Sequence, residues 1–143
     1  MSRSETDAVR ERYERRKRTV EPNRYSLLNA SVWQGVQARQ RAMLRLFADL
    51  SWESLAGVKL VEVGCGEGGN LLEFLRIGFR PENLIGIELL ADRAALAGRV
   101  LPAGIVRQGD AVAADIAPGS QDVVFQATVF SSLLDDAFQR QLA

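Results

Sequence analysis

The hydrophobic pattern of this chain changes near Gly57. Before that point apolar residues recur at helical intervals; after it, short β-branched runs alternate with helical stretches. Residues 5–18 are dense in charge, with only Val9 and Tyr13 apolar at helical spacing, so a thinly anchored helix with a solvated outer face is expected. The run Glu21, Pro22, Asn23, Arg24 breaks it, because proline disfavours helix in the residue before it. A second helix is predicted over residues 31–50, where Val32, Val36, Met43, Leu44, Phe47 and Leu50 fall near three- and four-residue intervals and Ser31 is placed to cap. Trp33 is expected to pack rather than to touch substrate, since large aromatics on amphipathic helices usually bury area.

Beyond Gly57, strands are predicted at residues 58–63, 84–88, 105–108 and 122–126. Helices are predicted at 70–77, at 91–100 and from near Ser132 to the end of the chain. Asn70 followed by Glu73 has the form of a capping box, Gly78 is a stop, and Pro118, Gly119 and Ser120 form the turn into the fourth strand. Strands alternating with helices imply parallel pairing and right-handed crossovers, hence an open α/β sheet with helices on both faces. Residues 1–56 are read as a helical cap and 57–143 as the α/β core, together one domain.

The 143 residues, 47% of them hydrophobic, suffice for one core. Eighteen basic residues balance eighteen acidic ones, so overall charge offers no case for nucleic acid or a membrane surface as partner. Cys65 is the only cysteine and there is no histidine, which leaves neither an internal disulfide nor the usual zinc ligands, and no metal site is expected. Charges occupy the place of a signal peptide's apolar core and no run approaches membrane-spanning length, so a soluble cytoplasmic protein is expected.

Chemistry concentrates in the stretch from Val61 to Asn70, where Gly64, Gly66, Gly68 and Gly69 lie between a buried strand and a helix. Glycines there let the backbone turn tightly and approach a ligand at the carboxyl edge of the sheet. Gly64, Gly66 and Gly69 also satisfy the G-x-G-x-x-G dinucleotide pattern, with Glu88 near where that pattern expects an acid for a ribose hydroxyl. Glu62 separates the possible cofactors. A carboxylate about 5 Å from a pyrophosphate, at an effective dielectric near 20, would oppose it by about 3 kcal/mol. Glu67 would add to that repulsion. A cofactor bearing a sulfonium and an ammonium is complemented by the same acids, while loop N–H groups can receive its carboxylate.

Residues 61–68, with Glu62 before the G-x-G-x-G run, resemble the first motif of the class I S-adenosylmethionine-dependent methyltransferases, whose fold is Rossmann-like. Glu88 ends the second strand, as does the acid that holds both ribose hydroxyls in that family, and Gly109, Asp110 and Ala111 follow the third strand, where the family contacts adenine. The resemblance implies S-adenosylmethionine as cofactor, with Glu62, Gly64, Cys65, Gly66, Gly68, Asn70, Glu88, Leu89, Asp110, Ala111 and Gln126 in its site. Cys65 is read as a small loop filler, because no histidine is present to activate it.

The same resemblance places residues 125–132 against the reaction site, with Gln126 and Thr128 as candidates for holding cofactor or acceptor; both could equally satisfy only local backbone groups. The family's acidic or Asn-Pro-Pro-Tyr arrangement is absent here, which argues against amino-methylation of adenine or cytosine. The expected acceptor is a small molecule, methylated on oxygen or nitrogen. Residues 25–29 and the helix after them resemble the N-terminal cap of small-molecule methyltransferases, with Tyr13 and Tyr25 as candidates either for a lid or for anchoring the cap to the domain. A complete domain of that family continues with a fifth strand, its helix and an antiparallel pair, so the resemblance covers about two-thirds of one. Strand four, with Val123, Val124 and Phe125, is then expected to be an exposed edge open to self-association. Two other functions fit the sequence: a non-catalytic cofactor-binding or assembly module, and an NAD-dependent oxidoreductase domain.

Overall fold

The computed structural model describes residues 4–21 and 23–143. Two compact units are present, one built from the chain up to Glu11 together with Ser54–Ala143, the other from Arg12–Glu53.

The larger unit contains strands β1 (Leu60–Val63), β2 (Leu84–Glu88), β3 (Val106–Gln108) and β4 (Val123–Gln126), in the order β3-β2-β1-β4 and parallel at every pairing. The expected parallel α/β sheet is therefore present, with the chain's direction of travel reversing between β1 and β4. Ligands in such sheets bind outside the carboxyl ends of the strands at that reversal. The four strands are shorter than or equal to their sequence-based ranges. Residues 58 and 59 stand outside β1 because the Lys59 N–H donates to the Asp122 carboxylate (2.8 Å) while the Lys59 carbonyl accepts from the Asp122 and Val123 amides. The pair ties the start of β1 to the start of β4.

Glu62, Gly86 and Phe125 share a register row and hence a sheet face. Helix α3 (Gly69–Arg76) covers that face: Leu71 and Phe74 are fully buried, and the Phe74 ring packs edge-on against Phe125 (5.1 Å between centroids) and Phe79 (5.5 Å). A Cβ at Gly86 would lie 2.5 Å from Leu71 and 2.9 Å from the Cys65 sulfur, so this strand glycine is required by the helix lying close above it. Helix α4 (Ala91–Val100) buries Ala94 and Ala97 and matches its predicted range. The final helix starts later than expected. A 3₁₀ turn at Phe130–Ser132 comes first, and α5 (Asp136–Leu142) begins only where Asp135 caps the Phe138 N–H (2.7 Å).

Helix α1 (Glu5–Thr19) forms where its charge-rich pattern predicts, burying Val9. The predicted break after it includes Pro22, which lies outside the described residues; Asn23, Arg24 and Tyr25 form a turn. Helix α2 (Ala30–Asp49) is capped not by Ser31 but by Asn29, whose side chain accepts from the Ser31 N–H (3.1 Å). Its buried residues are Met43 and Phe47, the latter stacked on Trp52; Leu44 and Leu50, expected on the same stripe, are about half exposed, as is Trp33. Each step along a helix rotates by 100°, which carries Leu44 off the line through Met43 and Phe47. Tyr13 and Tyr25 belong to this smaller unit, and each ring lies under a nearby guanidinium, that of Arg16 or Arg24. No helix among the described residues is long and apolar enough to cross a membrane.

Candidate functional site

The loop between β1 and α3 leaves the sheet by turning onto its neighbour. The Gly64 and Cys65 amides both donate to the Ile87 carbonyl of β2 (2.8 and 3.1 Å), and the Gly68 amide closes back on the Cys65 carbonyl (3.0 Å). Gly64, Gly66 and Gly68 adopt φ of 69°, 58° and 86°, the left-handed region in which L side chains are strained. Gly69 does not; it begins α3 with open space where a Cβ would stand. The glycines that the backbone demands are thus those of the G-x-G-x-G register, and the third glycine of the dinucleotide pattern is under no such demand.

The open faces of the three demanding glycines are also covered by protein. A Cβ would stand 2.7 Å from Val129 at Gly64, 2.8 Å from the Arg93 guanidinium at Gly66, and 2.7 Å from Leu101 at Gly68. Arg93 and Ala97 lie four residues apart on α4, with Leu101 four further on as its cap, so one stripe runs along the loop. Sequence reasoning attached these glycines to a ligand and missed Arg93 and Val129. The four-residue spacing of Arg93, Ala97 and Leu101 was the available signal for the first; nothing in the sequence points to Val129.

Two carboxylates flank this loop. Glu62, on β1, is 1% exposed, and its Oε1 accepts from the Asn70 amide of α3 (2.6 Å). Asn70 is therefore not the helix cap that the sequence suggested. Gly68 holds the cap position with no side-chain bond, because the Asn70 amide is directed instead at the strand carboxylate. Glu88, at the end of β2, is 5% exposed; its Oε2 accepts from the Gly66 N–H (2.7 Å) and its Oε1 from the Leu90 N–H (2.9 Å). Such charge-assisted bonds hold loop and strand end together. Glu67, by contrast, is exposed.

The remaining sequence candidates line the same edge. The Gly109 amide donates to the Glu88 carbonyl (2.9 Å), which seats Asp110 beside β2; Asp110 Oδ1 then caps the short turn that begins at Ala111 by accepting from Val112 N–H (3.0 Å). Leu89 receives the Gln108 side-chain amide on its carbonyl (3.2 Å). Gln126 ends β4 opposite Val63, and its Oε1 is buried with no hydrogen-bond donor among the described residues. Thr128 is exposed, with its hydroxyl turned onto the Ala127 carbonyl (2.6 Å) and φ at 63°. A β-branched residue there costs of order 1–3 kcal/mol, and such strain clusters at functional sites.

Cys65 sits within this loop. Its thiol is buried against Gly86 and its pKa is pushed up to about 12, first by burial and then by Glu62 and Glu88, with Arg93 a smaller opposing influence. A thiol so placed is inert as a nucleophile. Two buried carboxylates beside the loop, Glu62 and Glu88, complement a cationic ligand and oppose a pyrophosphate. The unsatisfied Gln126 oxygen a strand away likewise fits a ligand that brings a donor.

Comparison with known proteins identifies the family and the fold. A family model for a methyltransferase domain matches residues 61–142. A structure of phosphoethanolamine N-methyltransferase 1 from Haemonchus contortus, in complex with phosphoethanolamine and S-adenosylhomocysteine, superposes with a TM-score of 0.63 at 18% identity over 96% of this chain and 28% of that one. An S-adenosylmethionine-dependent methyltransferase from Mesorhizobium loti superposes with a TM-score of 0.53 at 20% identity, over 82% of this chain and 50% of that one. The chain thus spans half or less of the length of these two proteins, and the likeness is one of fold. No curated protein matches the sequence.

Proposed function

Because the chain belongs to the methyltransferase-domain family, we propose that it binds S-adenosylmethionine along the carboxyl edge of its sheet and transfers the methyl group to a small-molecule acceptor, on oxygen or nitrogen. The observation that carries this reading is the pair of buried carboxylates, Glu62 and Glu88, bracketing a loop whose three glycines hold positive φ. When bound, the cofactor supplies a methyl group already activated on a sulfonium. What the chain must add is grip, alignment and exclusion of water.

Each side chain has a part suited to its surroundings. Glu62, oriented by Asn70, gives the loop its negative charge and favours the cationic end of the cofactor. Glu88 keeps unused lone pairs on both oxygens after accepting from Gly66 and Leu90, enough to receive two ribose hydroxyls. Asp110 and Ala111, at the end of β3 beside Leu89, are placed for the adenine edge. The loop amides of Gly64, Cys65, Gly66 and Gly68 are already committed to Ile87, Glu88 and Cys65, so the cofactor's carboxylate would be received by the amide of Glu67 and those of the first residues of α3. Gln126 Oε1 takes a donor from cofactor or acceptor, and Thr128 lies just beyond it.

In-line methyl transfer depends first on alignment and needs a base only when the acceptor must lose a proton. The presence of phosphoethanolamine in the Haemonchus structure is in keeping with a small acceptor for this chain. We place the protein in the cytoplasm, where a single reduced thiol is stable, and take the open edge of β4 as a surface for pairing with a second copy. Incubation with cofactor labelled in its methyl group and a metabolite extract tests the enzymatic claim. Label transferred to a small molecule supports it; cofactor binding with no transfer to any fraction would leave a binding module in its place.

A further inference from the structure

Arg93 stands where neither the dinucleotide pattern nor the methyltransferase motifs place a residue. Its guanidinium lies across the open face of Gly66, with Nη2 2.8 Å and Cζ 3.3 Å from the position a Cβ would take. The amide of that same glycine donates to Glu88 Oε2 (2.7 Å). A cation and a carboxylate therefore both lie against one loop residue, and Glu62 holds a second carboxylate two residues before the loop begins. Arg93 is partly exposed and projects from the first turn of α4 to the loop.

We infer that Arg93 is the residue that balances charge in the cofactor site, setting how strongly the site prefers the cationic methyl donor over its neutral demethylated product. This rests on the proposed binding of S-adenosylmethionine. The donor and S-adenosylhomocysteine differ by one methyl group and one unit of charge, so the ratio of their affinities reports the potential at the loop while shape effects largely cancel. Two buried carboxylates alone would favour the donor strongly and would also stabilise the positive sulfur that the reaction must discharge. The Arg93 guanidinium, held over Gly66, offsets part of that field. Interactions that stabilise the ground state more than the transition state slow the chemical step, which gives a counter-charge at this position a use.

The test is titration calorimetry with S-adenosylmethionine and S-adenosylhomocysteine on the wild-type chain and on Arg93→Met, Arg93→Gln and Arg93→Lys. Removing one unit charge beside the site, in a medium between protein surface and water, is expected to shift the affinity ratio toward the donor about three- to tenfold in the Met and Gln variants. Arg93→Lys, which keeps the charge, should leave the ratio within about twofold of wild type on the same argument. A purely structural role changes both affinities by one factor, so an unchanged ratio in the Met and Gln variants overturns the inference. So does loss of both ligands by variants that still melt as wild type does. If wild type itself binds neither ligand, it is the cofactor assignment that fails.

Discussion

Adjacent glycines at the start of α3 should respond in opposite senses to the same added methyl group. At Gly68, φ is 86° and a Cβ would stand 2.7 Å from Leu101 Cδ1 and 3.3 Å from the Ala97 Cβ. Alanine in the left-handed region costs about 1–2 kcal/mol, and forcing a methyl into a packed contact adds about 1–3 kcal/mol. Leu101 is buried and Ala97 is on the inner face of α4, so neither can withdraw freely. Gly68→Ala should therefore lose roughly 2–5 kcal/mol, a large part of the stability of a small domain. At Gly69 the backbone is helical and the Cβ position is empty. Gly69→Ala should gain about 0.4–1 kcal/mol by restricting the unfolded chain. Urea unfolding followed by circular dichroism reads both, as changes in midpoint at constant slope. If Gly69→Ala destabilises as much as Gly68→Ala, the loop is in the dinucleotide register and the reasoning from backbone geometry is wrong.

Further outcomes follow from the core, the thiol and the sheet edge. Phe74→Ala removes a ring with no exposure, packed on Phe79 and Phe125, and should cost about 3–5 kcal/mol in the same unfolding assay; a loss below about 1 kcal/mol would mean that α3 is not seated on β4 as described. Cys65 has a thiol pKa raised from 9.0 to about 12, so the stability it contributes is complete below pH 9 and is lost as pH rises toward 12. Wild type should accordingly lose more stability than Cys65→Ala between those limits, and equal losses would contradict the thiol's burial. Val124 is 64% exposed on the open edge of β4, and Val124→Lys should lower self-association measured by sedimentation at rising concentration. A monomeric wild type, or a variant that associates equally, would remove β4 as the contact.

Much of the fold could be read from the sequence because it rests on local periodicity. The alternation that placed β2 and α4 is local, and both agree with their predicted ranges. Errors arose where a side chain served a distant partner. Asn70 looked like a cap because its spacing to Glu73 is local, whereas its amide reaches across to Glu62, eight residues back on a strand. Asn29, not Ser31, caps α2, since both residues suit the role and only the backbone decides between them. The candidate site was legible as charge, Glu62 and Glu88 around a glycine loop. The spacing of Arg93, Ala97 and Leu101 marks one face of α4, but does not show that this face, or Val129, covers the loop, because those contacts join segments far apart in the chain.

Whether this edge of the sheet holds S-adenosylmethionine through Glu88 and the glycine loop is decided by calorimetric titration with S-adenosylhomocysteine and with NAD, on wild type and on Glu88→Ala. The variant leaves the Gly66 and Leu90 amides without their acceptor and should lose the ligand. Wild type is expected to bind S-adenosylhomocysteine in the micromolar range, Glu88→Ala to lose that binding, and NAD to give no heat; binding of NAD alone would overturn the cofactor assignment.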